Sequence, residues 1–164
     1  MNTITVRTDQ PRRFGRSLRN TMLTAHIVVS VALLGDSAGF LAVAIRRAAS
    51  DDAAFVDAAH DLLGTFALYF GIPLSFLALL TGIALGLGTP WGVFRYPWVV
   101  AKLVLIITVI IVGATVLRPV LTDDTNAGDA PLIVGAAYDV TALTLATALG
   151  VFKPGRSRRL VPKP

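Results

Sequence analysis

The chain has 164 residues, 54% of them hydrophobic and only 15% charged, with mean hydropathy +0.69, a formal charge of +5 and a pI near 10.2. A soluble domain carries about 25% charged residues to cover its surface, so this composition speaks against a soluble globule and for a membrane protein. The absence of cysteine excludes disulfides, thiolate metal sites and thiol nucleophiles.

Residues 1–21 form a basic tail carrying Arg7, Arg12, Arg13, Arg16 and Arg19. The first long apolar run comes next at 22–45, enough to cross a bilayer, which takes about 20 helical residues at ~1.5 Å rise each. Arg12-Arg13 ahead of it resembles a twin-arginine leader. The run is longer than a leader's apolar core, contains Asp36 and is followed at once by Arg46-Arg47, so a retained span is expected. Ser50-Asp51-Asp52 caps the next helix, which begins outside the membrane and runs over 53–88. Gly71-Ile72-Pro73 predicts a kink inside it. Thr89-Pro90-Trp91-Gly92 ends that helix, and Trp91, Phe94, Tyr96 and Trp98 make an aromatic belt at one interface. The third span is expected at 98–117 and stops at Arg118-Pro119. A polar loop then leads to Pro131, which opens a fourth span at 131–152. Residues 153–164 form a second basic tail.

The resulting fold class is an all-α membrane protein, an antiparallel four-transmembrane-helix bundle occupying residues 22–152. Of the 25 charged side chains, only Asp36, Lys102 and Asp139 fall within the four apolar runs, 22–45, 62–88, 98–117 and 131–152. Twelve of the 15 basic residues fall on the side of the tails and the second loop, whereas Arg46, Arg47 and Arg118 share the other side with seven aspartates. The positive-inside rule therefore places both termini in the cytoplasm, with the protein in the plasma (inner) membrane. The expected partners are the lipid bilayer, anionic headgroups at the basic tails, and a second copy or a membrane partner subunit. No nucleic-acid-binding motif accompanies the basic pI.

Helical rise sorts the intramembrane polar residues by depth. Asp36 and Asp139 lie roughly 14 Å and 12 Å below the outer edge, Tyr69 and Tyr138 at similar depth, with Ser37 and Thr141 in reach. That layer is expected to hold two carboxylates and no basic residue. Two readings stay open for it. Either Asp36, Asp139, Tyr69, Tyr138 and Ser37 form a proton- or cation-handling site, as in a small coupled carrier, or the aspartates hydrogen-bond to neighbouring helices and fix their packing. Near the cytoplasmic face, His26, Ser30 and Lys102 form a second polar group, with Lys102 also able to snorkel to the headgroups. His26 and His60 stand roughly 30 Å apart along the helices, too far to share one haem. No cofactor, metal site or catalytic residue is expected. Gly35 and Gly39, and Gly82 and Gly86, have the spacing of close helix approach.

Thr24-Ala25-His26, Leu34-Gly35, Leu80-Thr81-Gly82, Gly88-Thr89-Pro90-Trp91-Gly92 and Trp98-Val99-Val100-Ala101-Lys102-Leu103 together resemble small actinobacterial integral membrane proteins of the DUF2269-like type. The chain is also distantly similar to CopD-type copper-resistance membrane domains. The resemblance implies a four-helix membrane bundle and no particular enzymatic activity. It raises His26 as a contact for a metal, or in a haem or quinone redox protein, although the chain lacks the cysteines and methionine cluster of a copper protein. A non-enzymatic membrane protein is the leading expectation.

Overall fold

The computed structural model describes residues 15–88, 96–122 and 128–152. Residues 1–14 of the first tail, the whole of the second tail, Trp91, Phe94 and Arg95 of the second loop, and Asp123 and Asp124 of the third lie outside the described residues. Everything regular in the described part is helical: α1 (Arg16–Ala48), α2 (Ala53–Thr65), a π-turn (Phe66–Gly71), α3 (Ile72–Gly88), α4 (Pro97–Val112), a second π-turn (Gly113–Leu117), α5 (Arg118–Thr122) and α6 (Ala130–Phe152). These join into four continuous rods long and apolar enough to cross a membrane: Arg16–Ala48, Ala53–Gly88, Pro97–Thr122 and Ala130–Phe152.

The ends of the rods reflect local chemistry. Asp52 is the N-cap of α2, its carboxylate accepting from the Ala54 N–H at 3.0 Å. Pro97 occupies the first turn of α4, where its missing N–H costs nothing. Gly128 takes φ +67° in the turn before α6, a conformation that favours glycine. The first rod starts at Arg16, six residues before the apolar run does, because a helix that has left the hydrocarbon continues until a residue breaks it.

Two interior breaks differ from expectation. The kink foreseen at Gly71-Ile72-Pro73 is a π-turn, closed by the Ile72 N–H bonding to the Ala67 carbonyl five residues back. Arg118-Pro119 does not end the third span: a second π-turn, closed by the Arg118 N–H on the Gly113 carbonyl, carries the helix on to Thr122. In both cases proline stands two residues beyond the turn. Proline has no N–H and its ring crowds the carbonyl four residues earlier, and a widened turn relieves that clash without ending the helix.

The first rod packs on the second and fourth, the fourth on the first and third, and the third closes the ring against the second. Two apolar clusters fill the interior. One, at the end carrying Asp51 and Asp129, contains Phe40, Ala44, Leu63, Leu117, Leu132 and Ala136. The other contains Leu33, Ala78, Val109, Ala142 and Leu143. Outside, Val28, Val31, Leu80, Val104, Ile111 and Val134 are exposed, as suits helices whose outer solvent is lipid.

Glycines set the close approaches. Gly39 meets the Phe66 ring and Gly82 the His26 ring, each with room for little more than hydrogen, whereas a Cβ on Gly35 would meet nothing within 4 Å. Gly35 therefore makes no close approach to the described residues. Gly135 is tighter still: a Cβ there would lie 2.6 Å from Leu117 Cδ2 and 3.3 Å from its Cγ, and Leu117 is itself buried. We predict that Gly135→Val destabilises the bundle by about 1–3 kcal/mol through overpacking, seen as a lower thermal midpoint in detergent, while Gly35→Ala leaves the midpoint unchanged.

Candidate functional site

A cavity of about 160 Å³ lies between the two apolar clusters. Both π-turns wall it: Ala67, Leu68 and Gly71 from the first, Gly113, Ala114 and Leu117 from the second. A Cβ on Gly113 would meet nothing within 4 Å, as expected beside empty space. Asp36 and Ser37 of α1 and Asp139 of α6 line the same cavity, so the structure brings these three sequence candidates together. Asp36 stands against Gly71, with its Oδ2 3.2 Å from where a Cβ would be. A larger residue at 71 would push the carboxylate aside.

Asp139 is 6% exposed, and its Oδ1 is buried with no hydrogen-bond partner among the described residues. A buried polar atom left unpaired costs free energy, so this carboxyl group, on a residue that lines the cavity, is the place in the wall where a partner is wanting. Ser75, absent from the sequence candidates, is also buried in this wall; its hydroxyl donates to the Ile72 carbonyl at 2.8 Å, which leaves its lone pairs as acceptors.

The expectation of no basic residue in the carboxylate layer is corrected by Arg118, which lines the cavity. Arg118 reaches it because the second π-turn continues the third rod past the point where Pro119 was expected to stop it. The cavity thus carries two carboxyl groups and one guanidinium, a formal sum of −1 when all are ionised. One unit of positive charge completes it.

Tyr69 and Tyr138 are not brought to this cavity. Tyr69 is 74% exposed on the outer surface of the first π-turn, because the wider turn rotates it away from the direction that uniform helical spacing implies. Tyr138 donates to Thr108 Oγ1 at 2.6 Å, joining the fourth rod to the third. Thr141 donates to its own helix at the Ala137 carbonyl, 2.7 Å away.

The second group of candidates joins helices. His26 Nδ1 lies 2.8 Å from Thr81 Oγ1, and Thr81 donates its own proton to the Leu77 carbonyl at 2.6 Å. The hydroxyl is therefore the acceptor, and the imidazole carries its proton on Nδ1. Ser30 donates to the His26 carbonyl at 2.7 Å. Lys102 Nζ packs against Gly150, 3.0 Å from where a Cβ would stand. At the opposite end, Arg47 pairs with Asp129 and Arg46 lies 5.5 Å from the centre of the Phe55 ring. All three basic residues of the aspartate-rich side thus have a defined place. Among the described residues, no three histidine or aspartate side chains gather closely enough to hold a metal ion.

The fold and the placement of its charges define a polytopic integral membrane protein with four transmembrane-capable helices and an internal polar cavity. The chain belongs to the family described as a predicted integral membrane protein, DUF2269, whose model matches residues 20–153. No curated protein and no solved structure matches the chain.

The His26–Thr81 bond yields a packing prediction. Thr81→Val, which keeps the shape and removes the acceptor, lowers stability by about 1 kcal/mol in a detergent thermal melt, and Thr81→Ser restores most of it.

Proposed function

We propose that the protein handles a single positive charge, a proton or a monovalent cation, in the cavity bounded by Asp36, Asp139 and Arg118. The observation that carries this reading is that Asp139, whose buried Oδ1 has no hydrogen-bond partner among the described residues, lines a cavity whose ionisable groups sum to one negative charge. The polar residues divide between two tasks. His26, Thr81, Tyr138 and Thr108 spend their hydrogen bonds on joining helices, the packing role expected of intramembrane polar groups. Asp36 and Asp139 have no hydrogen bond to a described residue that would give them the same role. An intramembrane carboxylate facing a cavity is the usual mark of a proton or ion path.

In this reading the protein sits in the plasma membrane with both termini in the cytoplasm, basic tails against anionic headgroups and the cavity nearer the outer face. The mechanism is one of charge compensation. When the site is filled, the added positive charge lies between the carboxyl groups; when it empties, Arg118 is the remaining counter-charge. A proton is held as an O–H bond to one carboxyl group, formed on filling and broken on emptying, whereas a cation is held by charge alone.

Proteoliposomes containing the protein are expected to dissipate an imposed pH gradient faster than empty vesicles. Asp36→Asn and Asp139→Asn each slow this by about tenfold. Flux unchanged in both variants would return the aspartates to a packing role.

A further inference from the structure

The cavity wall is more specific than its charge. Apart from Asp36, Ser37, Ser75, Asp139 and Arg118, every lining residue is apolar or glycine, including Leu33, Phe40 and Phe76. A bare metal cation needs about six oxygen ligands or a retained water shell, so the side-chain oxygens of Asp36, Ser37, Ser75 and Asp139 would all have to converge on it from three rods in a wall that is otherwise mostly apolar. An alkylammonium ion has the opposite needs: up to three N–H donors at one end and an apolar surface for the rest. The volume of about 160 Å³ is close to that of an apolar protein cavity that holds benzene, at about 150 Å³.

The entrance agrees with such a guest. Leu68, Ile72 and Phe76 line the cavity and are also exposed on the outside of the bundle. The cavity therefore communicates, along the second rod, with the surface that faces lipid hydrocarbon, and a guest soluble in hydrocarbon can enter by that side.

Resting on the single-charge reading above, we infer that the cavity binds a small lipophilic primary amine as its ammonium ion, head between Asp36 and Asp139 and tail against Phe40, Leu68 and Phe76. The amine arrives neutral from the bilayer. If a carboxyl group of the pair holds the compensating proton, the amine lone pair takes it: one N–H bond forms, one O–H bond breaks, and an ammonium–carboxylate pair results with no change in the charge of the site. Asp139 Oδ1 then accepts the hydrogen bond it lacks, and Ser75 offers a further acceptor.

The test is isothermal titration calorimetry on the full chain in lipid nanodiscs, with n-butylammonium chloride as probe and n-butanol, sodium chloride and potassium chloride as comparisons. Saturable binding of butylammonium is expected. It weakens by about tenfold or more in Asp139→Asn and Asp36→Asn, which remove the charge. It weakens comparably in Gly113→Leu, which fills the apolar space and leaves both carboxyl groups in place, so that each half of the site is tested separately. Monodisperse elution of each variant establishes that it is folded. Equal binding of butanol and butylammonium, or butylammonium binding unaffected by Asp139→Asn, would overturn the inference. So would saturable binding of sodium or potassium with none of butylammonium, and in that case the slowed pH-gradient dissipation of the aspartate variants would leave the single-charge reading standing. If flux is unchanged in those variants and nothing binds, both fall.

Discussion

A polar group in hydrocarbon has no water to turn to, and the rest of this structure depends on how each one is answered inside the chain. Most are answered locally. Thr65, Thr115, Thr144 and Thr147 each donate to the carbonyl one turn back in their own helix, which neutralises the hydroxyl proton and lets these residues stand among lipid-facing neighbours. Thr81 and Thr108 do this and more. Having given their protons to their own helices, they still accept from His26 and Tyr138 on neighbouring rods. The same hydroxyl satisfies its own demand and ties two helices.

Asp36 and Asp139 cannot be answered that way, because a carboxylate has no proton to donate to a carbonyl and helix N–H groups are already engaged. The two π-turns are what give them space. Each turn carries one more residue than an α-turn, widens the helix and shifts the register of the residues beyond it. On one side this sets Gly71 against the Asp36 carboxylate; on the other it opens the wall at Gly113 and carries Arg118 to the same cavity. Pro73 and Pro119 stand at equivalent distances beyond the two turns. The cavity is therefore a product of backbone geometry at two prolines as much as of the side chains that line it.

Helix association here has little help from the hydrophobic effect, since lipid is as apolar as leucine. Contact area and fit must serve instead, which is why glycines occur where another rod presses: Gly39 under Phe66, Gly82 under His26, Gly135 under Leu117 and Gly150 under Lys102. The Arg47–Asp129 pair joins the end of the first rod to the start of the fourth. It acts at the polar edge of the bundle, where the helices leave the hydrocarbon and packing alone no longer holds them.

Much of this was legible in the amino-acid order. Four apolar runs parted by charged stretches determine four membrane-crossing helices, because hydrocarbon excludes both charge and unpaired backbone. The depths of Asp36, Ser37 and Asp139 are set by the fixed rise of an α-helix, and all three do line one cavity. Rotation around the helix axis is another matter. It accumulates with every residue, and one extra residue in a π-turn is enough to turn Tyr69 outward and carry a helix on past Arg118-Pro119. Which rods are neighbours, and so which hydroxyl meets Tyr138 or His26, depends on packing between segments distant in sequence. The sequence by itself determined the spans and the depth of each polar group; only the tertiary structure decided which of them meet, because depth depends on distance along one helix and meeting depends on the rotation and packing of four.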